Sequence, residues 1–285
     1  MERTWFITGA SSGFGRDLAE AVLEQGDCAA IGARRTEALE LLVARSPDRA
    51  LTLPLDVTDA GSRDRALAAA LKRFGRIDVL ANIAGRGSLG AAEEFTPGQL
   101  RDQMEVNFFA AVEMTRAVLP IMRSQGYGHI LQLTSIGGLA AFQGFGPYCA
   151  SKFALEGWSE ALREEVKPLG IKVTIVEPGA FRTEFAGSKN MRPAQRIDAY
   201  RAIIAPVEAY LYGSDGKQPG DPRKAATAMI AVVESAEPPL RLLLGSDAIA
   251  LWEKKQAALT TELARWRQTG EQTAFDDITV GAIGG

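Results

Sequence analysis

Short apolar segments alternate with helical segments from the first residues of the chain to beyond residue 240. Between the apolar runs, apolar residues recur at helical spacing, as with Phe14, Leu18 and Val22. The predicted strands are Arg3–Thr8, Asp27–Ala33, Ala50–Leu55, Ile77–Ile83, Gly128–Thr134, Ile171–Glu177 and Leu240–Leu244. Strands joined through helices are typical of parallel sheets. The sequence therefore predicts an α/β fold, a doubly wound parallel sheet of about seven strands with helices on both faces.

The alternation stops between the sixth and seventh strands. Residues 184–220 carry several glycines and prolines around short helical stretches, which is typical of a lid over a binding site. We expect a single domain over residues 1–285 that includes this lid, and a disordered tail at about 276–285. Between the fourth and fifth strands the pattern predicts one long helix, Thr96–Arg123.

Charge and composition exclude several classes of function. The 285 residues have a net charge of −3, one histidine and two cysteines. This predicts no nucleic-acid or membrane partner, no metal site, no Ser–His–Asp triad and no disulfide framework. The N-terminal residues lack a signal-peptide pattern, and no apolar run approaches the roughly 18 residues of a membrane helix. We expect a cytoplasmic protein that acts on a small molecule.

A glycine-rich turn links the first strand to the first helix. It reads Thr-Gly-Ala-Ser-Ser-Gly-Phe-Gly over residues 8–15, with the spacing G-x-x-x-G-x-G. Glycines allow a sharp turn and a close approach of the backbone to a ligand, and the helix N-terminus attracts a pyrophosphate. At the start of a βαβ unit this pattern indicates a dinucleotide site.

The residues after the second strand bear on which dinucleotide binds. An acidic residue there would accept hydrogen bonds from the ribose hydroxyls of NAD. This chain has Arg34 and Arg35 instead, and a guanidinium can pair with a 2′-phosphate. The sequence favours NADP(H) over NAD(H), with Arg34 the better candidate. The alternative is that both arginines are simply solvated at a helix start.

Polar residues follow the third and fourth strands, where open α/β sheets bind ligands. Asp56 and Val57 follow the third strand, and Asn82, Ala84 and Gly85 follow the fourth. For Asp56 a plain helix-start role competes equally with ligand binding. Asn107 lies inside the next helix, where asparagine is unfavourable, so its amide is expected to have a specific partner. That partner is either a functional group or a neighbouring carbonyl at a kink.

Tyr148 and Lys152 lie four residues apart on a predicted helix, with Ser135 upstream at the end of the fifth strand. Such a pair shares one helix face, and a nearby ammonium favours ionisation of the phenol. The three side chains would then form a proton donor or acceptor beside a hydroxyl. The alternative for Tyr148 and Lys152 is a solvated surface pair.

Six motifs occur in the order of the single-domain short-chain dehydrogenase/reductase family, which this chain resembles over about residues 3–245. They are Thr8-Gly9-x-x-x-Gly13-x-Gly15, Asn82-x-Ala84-Gly85, Asn107, Ser135, Tyr148-x-x-x-Lys152 and Pro178-Gly179-x-x-x-Thr183. The resemblance implies a Rossmann-like fold and NAD(P)-linked exchange between a carbonyl and an alcohol. It also implies a homodimer or homotetramer formed through the long helices. Gln132 stands where many members have asparagine.

The resemblance assigns each motif a role. The residues implied at the pyrophosphate and adenosine are Gly9, Ser11, Ser12, Gly13, Phe14 and Gly15, with Asp56 and Val57 at the adenine. Asn82, Ala84 and Gly85 would lie beside the ribose, and Pro178, Gly179 and Thr183 at the nicotinamide. Ser135 would bind the substrate oxygen and Tyr148 would exchange the proton. Lys152 would bind the nicotinamide ribose and lower the Tyr148 pKa, and Asn107 would anchor a relay water.

Aromatic residues flank the catalytic motifs. Phe142 and Phe145 precede Tyr148, and Phe181 and Phe185 follow the sixth strand. With Ser135 they are the predicted substrate contacts, which favours a lipophilic ketone or alcohol of steroid, retinoid or polyketide type. Equally, these rings would only pack the lid onto the sheet.

Two other functions are known on this kind of fold. A non-catalytic NADP-binding regulator on this fold would tend to lose the tyrosine or the lysine, and both are present here. An epimerase or dehydratase of the extended branch would carry a different glycine spacing and a larger C-terminal domain. The leading hypothesis is an NADP(H)-dependent carbonyl reductase or alcohol dehydrogenase.

Overall fold

Seven parallel strands form one sheet in the order β3-β2-β1-β4-β5-β6-β7. The structure is a computed structural model that describes residues 2–187, 191–275 and 281. The strands are β1 Thr4–Ile7, β2 Cys28–Ala33, β3 Ala50–Pro54, β4 Val79–Asn82, β5 Gly128–Leu133, β6 Ile171–Pro178 and β7 Arg241–Leu244. The predicted α/β class and the seven predicted strands are confirmed.

Helices cover both faces of this sheet. In chain order they are α1 Gly13–Gln25, α2 Glu40–Arg45, α3 Ala60–Phe74, α4 Pro97–Met104, α5 Ala110–Gln125, α6 Gly146–Val166, α7 Asp198–Gly213, α8 Pro222–Glu234 and α9 Ser246–Glu271. None of the helices in the described part of the chain has both the length and the apolar character needed to cross a bilayer. Part of the predicted tail, 276–280 and 282–285, lies outside the described residues.

Successive residues of a strand enter opposite cores, as expected for a sheet covered on both sides. In β1, Trp5 and Ile7 pack toward α1 and α8, whereas Phe6 packs toward α3, α5 and α6. All three side chains are fully buried. The sheet is therefore rigid at its centre, and its edges and strand ends are free to carry function.

The predicted helix between β4 and β5 contains a π turn. The helical rod runs from Pro97 to Gln125, but residues Glu105–Phe109 form the turn that separates α4 from α5. The N–H of Ala110 bonds the carbonyl of Glu105, five residues back. One-turn π segments of this kind are frequent at functional sites. Asn107 stands in the middle of this turn.

The segment before α7 and α7 itself lie against the loops that follow β4 and β5. Met191 exchanges backbone hydrogen bonds with Gly87 and Leu89, at 2.9 and 3.1 Å. A Cβ added at Gly144 would contact Ile204 of α7 at 3.4 Å. The segment predicted as a lid therefore borders the carboxyl ends of β4 and β5.

Candidate active site

The turn between β1 and α1 is shaped by close backbone contacts. Gly9 has a φ of +70°, and a Cβ there would lie 2.6 Å from the Cα of Ala84. A Cβ on Gly15 would lie 2.6 Å from the carbonyl oxygen of Gly9. Real side chains essentially never approach so closely, so glycine is required at both positions. The turn and the loop after β4 are thus packed directly against each other.

The N-terminus of α1 is open to a ligand. Its N-cap residue, Ser12, has extended backbone and makes no side-chain capping bond to the first turn. The first N–H groups of a helix need an outside partner, and their positive potential favours an anion. This uncapped helix start after a glycine turn fits the pyrophosphate of a dinucleotide.

The adenosine end of this groove is more exposed. Arg34 and Arg35 follow β2 with exposed side chains, and neither forms an ion pair within the described ranges. The pKa of Asp56 lies below its ordinary value, because Thr58 donates two hydrogen bonds to it and the charge of Arg34 lies nearby. The Arg34 charge therefore acts at the end of β3, where the adenine and its ribose are expected.

Asn82 points into the protein. Its amide nitrogen donates to the Ala111 carbonyl, Thr115 and Gln132 at 3.0–3.2 Å, and the side chain is buried. These bonds hold β4 to α5 and β5, so the amide nitrogen of Asn82 is used inside the fold, and the predicted place of Asn82 beside the ribose stays a prediction. Ala84 and Gly85, in contrast, lie at the groove: the backbone N–H of Ala84 is held by Thr8 Oγ1 at 3.1 Å.

Asn107 has the neighbouring-carbonyl partner that its place inside a helix allowed, and its functional role stays a prediction. Its amide oxygen accepts from the Arg86 N–H at 2.9 Å, and its nitrogen donates to the Arg86 carbonyl at 2.9 Å and to Ser151 at 3.0 Å. The side chain is therefore tied to a neighbouring backbone at a kink. It also lies at the site, because a Cβ on Gly85 would be 3.3 Å from its oxygen and 3.6 Å from Lys152 Nζ.

Ser135, Tyr148 and Lys152 converge at the carboxyl end of β5. Ser135 follows β5, and its side chain lies beside that of Tyr148: a Cβ built on Gly137 would be 3.4 Å from Ser135 Oγ and 3.0 Å from the tyrosine ring. Tyr148 and Lys152 lie in the first two turns of α6, and the Lys152 ammonium is 6.0 Å from the centre of the tyrosine ring. Tyr148 is 8% exposed and Lys152 4%, which rules out the solvated surface pair.

Burial sets the protonation of both groups. It raises the pKa of Tyr148 above its ordinary value, and the Ser135 side chain offsets only part of that rise. The lowered Tyr148 pKa that was predicted from Lys152 is not found, because desolvation of the phenolate is the largest effect and Lys152 is not among the groups that shift this pKa. Burial also lowers the pKa of Lys152 to about 8. Tyr148 is a protonated donor at neutral pH, beside a lysine that is still mostly charged.

The residues after β6 close the far side of the groove. Pro178 ends β6, and its carbonyl lies 3.5 Å from Ser135 Oγ. Gly179 is held against Asp247, since a Cβ there would lie 2.3 Å from that carboxylate. Thr183 caps the short turn at 184–186 and lies 3.2 Å from a Cβ built on Gly13. This loop thus connects the catalytic set to the N-terminus of α1.

The four predicted aromatic contacts do not share one place. Phe185 lies beside Tyr148, with ring centres 5.3 Å apart, and Phe142 and Phe145 stand in the loop just before Tyr148. Phe181 packs in the core with its ring centre 5.2 Å from that of Phe14. The ring of Phe181 is used to pack the 178–183 loop onto α1, and its contact with substrate stays a prediction.

A family model described as short chain dehydrogenase matches residues 3–194 of this chain. The chain belongs to the short-chain dehydrogenase family. The match includes the glycine turn, Asn107, Ser135, Tyr148 and Lys152, so the resemblance inferred from the motifs is confirmed. Family membership also establishes an oxidoreductase on a Rossmann-like fold.

Relatives and solved structures of the short-chain dehydrogenase family cover nearly the whole chain. Oxidoreductase BOA17 of Botryotinia fuckeliana is 38% identical, over 94% of this chain and 98% of its own. The 3-ketodihydrosphingosine reductase of Bacteroides thetaiotaomicron is 36% identical, over 91% and 94%. A short-chain dehydrogenase structure from Streptomyces avermitilis is 45% identical, with a TM-score of 0.90 over 96% of this chain and 100% of that one.

Cofactor complexes within the short-chain dehydrogenase family include both dinucleotides. A Burkholderia cenocepacia short-chain dehydrogenase in complex with NADP is 27% identical, with a TM-score of 0.72 over 93% of this chain and 97% of that one. A Brucella melitensis 3-ketoacyl-(acyl-carrier-protein) reductase complexed with NADH is 26% identical, with a TM-score of 0.71 over 85% and 96%. Solved members of this family thus bind either NADP or NADH.

Three residues of this short-chain dehydrogenase site escaped the sequence reasoning. Ser151 accepts from Asn107, and Thr134 and Glu156 hydrogen-bond each other behind the catalytic residues. Glu156 stands four residues after Lys152, the same spacing that singled out Tyr148. The helical repeat could therefore have identified it. Thr134 had no comparable signal beyond its place next to Ser135.

Proposed function

We propose that this oxidoreductase interconverts a carbonyl and a secondary alcohol on a lipophilic small molecule, with NADP(H) as the redox cofactor. The observation that carries the proposal is the convergence of a hydroxyl, a protonated phenol and an ammonium. Ser135, Tyr148 and Lys152 meet at the mouth of a groove whose other end fits a pyrophosphate. A nicotinamide dinucleotide bound in that groove would supply the hydride.

The residues would handle the oxygen of the reacting group. Ser135 and Tyr148 would donate hydrogen bonds to a carbonyl oxygen, where negative charge develops during reduction. Tyr148 would then transfer its proton to that oxygen. Its raised pKa supports the reductive direction, because the phenol stays protonated at neutral pH. Lys152 would bind the nicotinamide ribose and carry the positive charge beside the phenol.

The preference for NADP(H) rests on Arg34 and Arg35. No acidic residue occupies positions 33–35 to accept bonds from the ribose hydroxyls. Both guanidinium groups are exposed beside the expected position of the ribose, and Arg34 already influences Asp56. A 2′-phosphate would supply the carboxylate-like partner that Arg34 lacks among the described residues.

The lipophilic substrate class rests on the walls around Tyr148. Phe185 contacts the ring of Tyr148 and Phe142 is 39% exposed in the adjoining loop. Gly144 lies in the same loop as Phe142, and its neighbours are the apolar side chains of Leu89, Ile204 and Val207. By contrast, lid residues Tyr200 and Tyr212 are used for contacts with Glu93 and Arg192. A ketone with a bulky apolar group suits such walls.

The second candidate is a non-catalytic NADP-binding regulator. Such a protein needs the glycine turn and Arg34, but it does not need a buried phenol beside Ser135. The geometry at Tyr148 therefore favours the enzyme.

We also propose that the protein works as a homodimer or homotetramer in the cytoplasm. The outer faces of α4, the π turn and α6 support this assembly, because they expose Leu100, Phe109 and Phe153 at 39–47%. Apolar side chains in such a group favour burial against a second copy.

A carbonyl panel tests the function directly. The purified protein is mixed with NADPH and with pairs of bulky lipophilic and short polar ketones, and loss of NADPH absorbance is followed, with NADH in parallel. We expect the lipophilic ketones to give the higher kcat/KM and NADPH the lower KM. Faster turnover of short polar ketones would contradict the substrate class. Tight NADPH binding with no turnover of any ketone would favour the regulator.

A further inference from the structure

A cluster of buried charged side chains lies behind the catalytic residues. We name Glu156, Glu177 and Arg241 the carboxylate cluster. Glu156 belongs to α6, Glu177 to β6 and Arg241 to β7. Arg241 Nη1 forms ion pairs with both carboxylates, at 2.5 Å to Glu156. Glu156 is 4% exposed and Glu177 is fully buried.

The cluster contacts the segment that carries the active site. Thr134 donates its hydroxyl to Glu156 Oε1 at 2.5 Å. Its neighbour on one side is Ser135, and its neighbour on the other is Leu133, whose carbonyl accepts from Lys152 Nζ at 2.7 Å. Lys152 itself is one helical turn before Glu156. The carboxylate of Glu156 therefore links the 133–135 segment to α6 from behind.

Charge in the cluster is unbalanced unless one carboxyl keeps its proton. The groups that face Glu156 are Lys152 and Glu160 of α6, Glu177 of β6 and Arg241 of β7. Burial and the neighbouring charge of Glu156 raise the pKa of Glu177. Burial raises the pKa of Glu156 as well, and the hydrogen bonds that Glu156 accepts from Thr134 and Arg241 offset part of that rise. Because Glu156 accepts from Thr134 as well as from Arg241, the negative charge of the pair is better stabilised on Glu156 than on Glu177.

We infer that Glu156 is a positioning residue of the active site, which fixes the 133–135 segment against α6 and keeps the Lys152 ammonium charged. Lys152 needs this support because the only hydrogen bond of its ammonium among the described residues goes to a neutral carbonyl. Glu156 provides the stabilising negative charge for it. The kinetic part of this inference rests on the proposed function, whereas the ionisation of Lys152 can be measured without any substrate.

The ionisation of Lys152 is followed by NMR on protein labelled with ¹³C at the lysine Cε. The Lys152 signal is the one that disappears from the spectrum of the Lys152→Met variant. In Glu156→Gln, which keeps the shape and loses the charge, we expect the titration midpoint of Lys152 to fall by about one pH unit. Glu160→Gln is the matched control. Glu160 also pairs with Arg241, but its side chain is 53% exposed and it does not contact Thr134. That variant should leave the midpoint unchanged.

The kinetic arm follows the same variants with a ketone that the wild-type protein reduces. If the midpoint falls from about 8 to about 7, kcat at pH 8 should fall about fivefold in Glu156→Gln, because the charged fraction of Lys152 drops from about half to about a tenth. Glu156→Asp keeps the negative charge, so its Lys152 titration midpoint should lie close to the wild-type value. An unchanged midpoint in folded Glu156→Gln, or an equal fall in Glu160→Gln, would overturn the inference.

Thr134→Val provides the second variant if Glu156→Gln does not fold. It removes the hydroxyl that donates a hydrogen bond to Glu156 and removes no ionisable group. We expect a lower kcat with the Lys152 midpoint unchanged, because only the position of the 133–135 segment is altered. An unchanged kcat would overturn the positioning role. Absence of turnover in the wild-type protein would instead reject the proposed function, and the NMR midpoints would still decide the inference on charge.

Discussion

The two ends of the cofactor groove are built in opposite ways. At the reacting end, Tyr148 and Lys152 are at most 8% exposed and each side chain has defined partners. At the adenosine end, Arg34 and Arg35 are exposed and unpaired within the described ranges. Catalysis requires fixed geometry, so its residues are held by packing. Discrimination of a phosphate needs only a reachable charge, which a flexible side chain can supply.

The largest effect should follow a change at the reacting end that spares the groove. In Tyr148→Phe the ring and its packing remain, but the proton donor is lost, so kcat should fall about a thousandfold or more. The Kd for NADPH, measured by fluorescence titration, should change less than about twofold, since the other end is untouched. Retained activity would remove Tyr148 from its proposed role.

A smaller effect is expected at the adenosine end. Arg34→Asp replaces the proposed partner of the 2′-phosphate with a repulsive charge, so the Kd for NADPH should rise about 10- to 100-fold. The Kd for NADH should change little, and Arg35→Asp is the matched comparison at the neighbouring position. Equal NADPH and NADH affinities in the wild-type protein would contradict the cofactor proposal. An equal loss of NADPH affinity in Arg34→Asp and Arg35→Asp would mean that both arginines bind the 2′-phosphate.

The smallest effect is a difference in pH dependence between the two ends. The pKa of Lys152 is about 8, so its ammonium is present below that pH and is lost as pH rises through it. Carbonyl reduction should therefore decline above about pH 8, by about tenfold per unit at the steepest. Arginine stays charged over this range, so the ratio of NADPH to NADH affinity should remain constant. If the affinity ratio declined with the same pH midpoint as the reduction rate, the ionisation of Lys152 would affect binding at the adenosine end.

Much of the fold and part of the site were accessible from the sequence. The alternation of apolar runs gave all seven strands, because strand and helix periods differ and each crossover needs a helix of similar length. Tyr148 and Lys152 followed from their spacing of four. The glycines at 9, 13 and 15 followed from their place between strand and helix.

The remainder depends on contacts between distant residues. Glu156 and Arg241 are 85 positions apart, and nothing in the pattern around either one indicates their pairing. Phe181 and Phe185 look equivalent in the sequence, yet one packs on Phe14 and the other on Tyr148. The direction of the Tyr148 pKa change depends on its burial, which spacing on a helix does not reveal.

The π turn at 105–109 lets the helical rod hydrogen-bond both the end of β4 and the loop that follows it. Gln103 and Asn107 hold the Arg86 backbone, and the Ala111 carbonyl and Thr115 hold Asn82. These four positions are spaced by four residues, and at about 100° per residue they would drift around a regular helix by about 40° at each step. The wider turn absorbs part of that drift. It keeps these four hydrogen-bonding positions on one face of the helix, toward the end of β4, where the nicotinamide is expected.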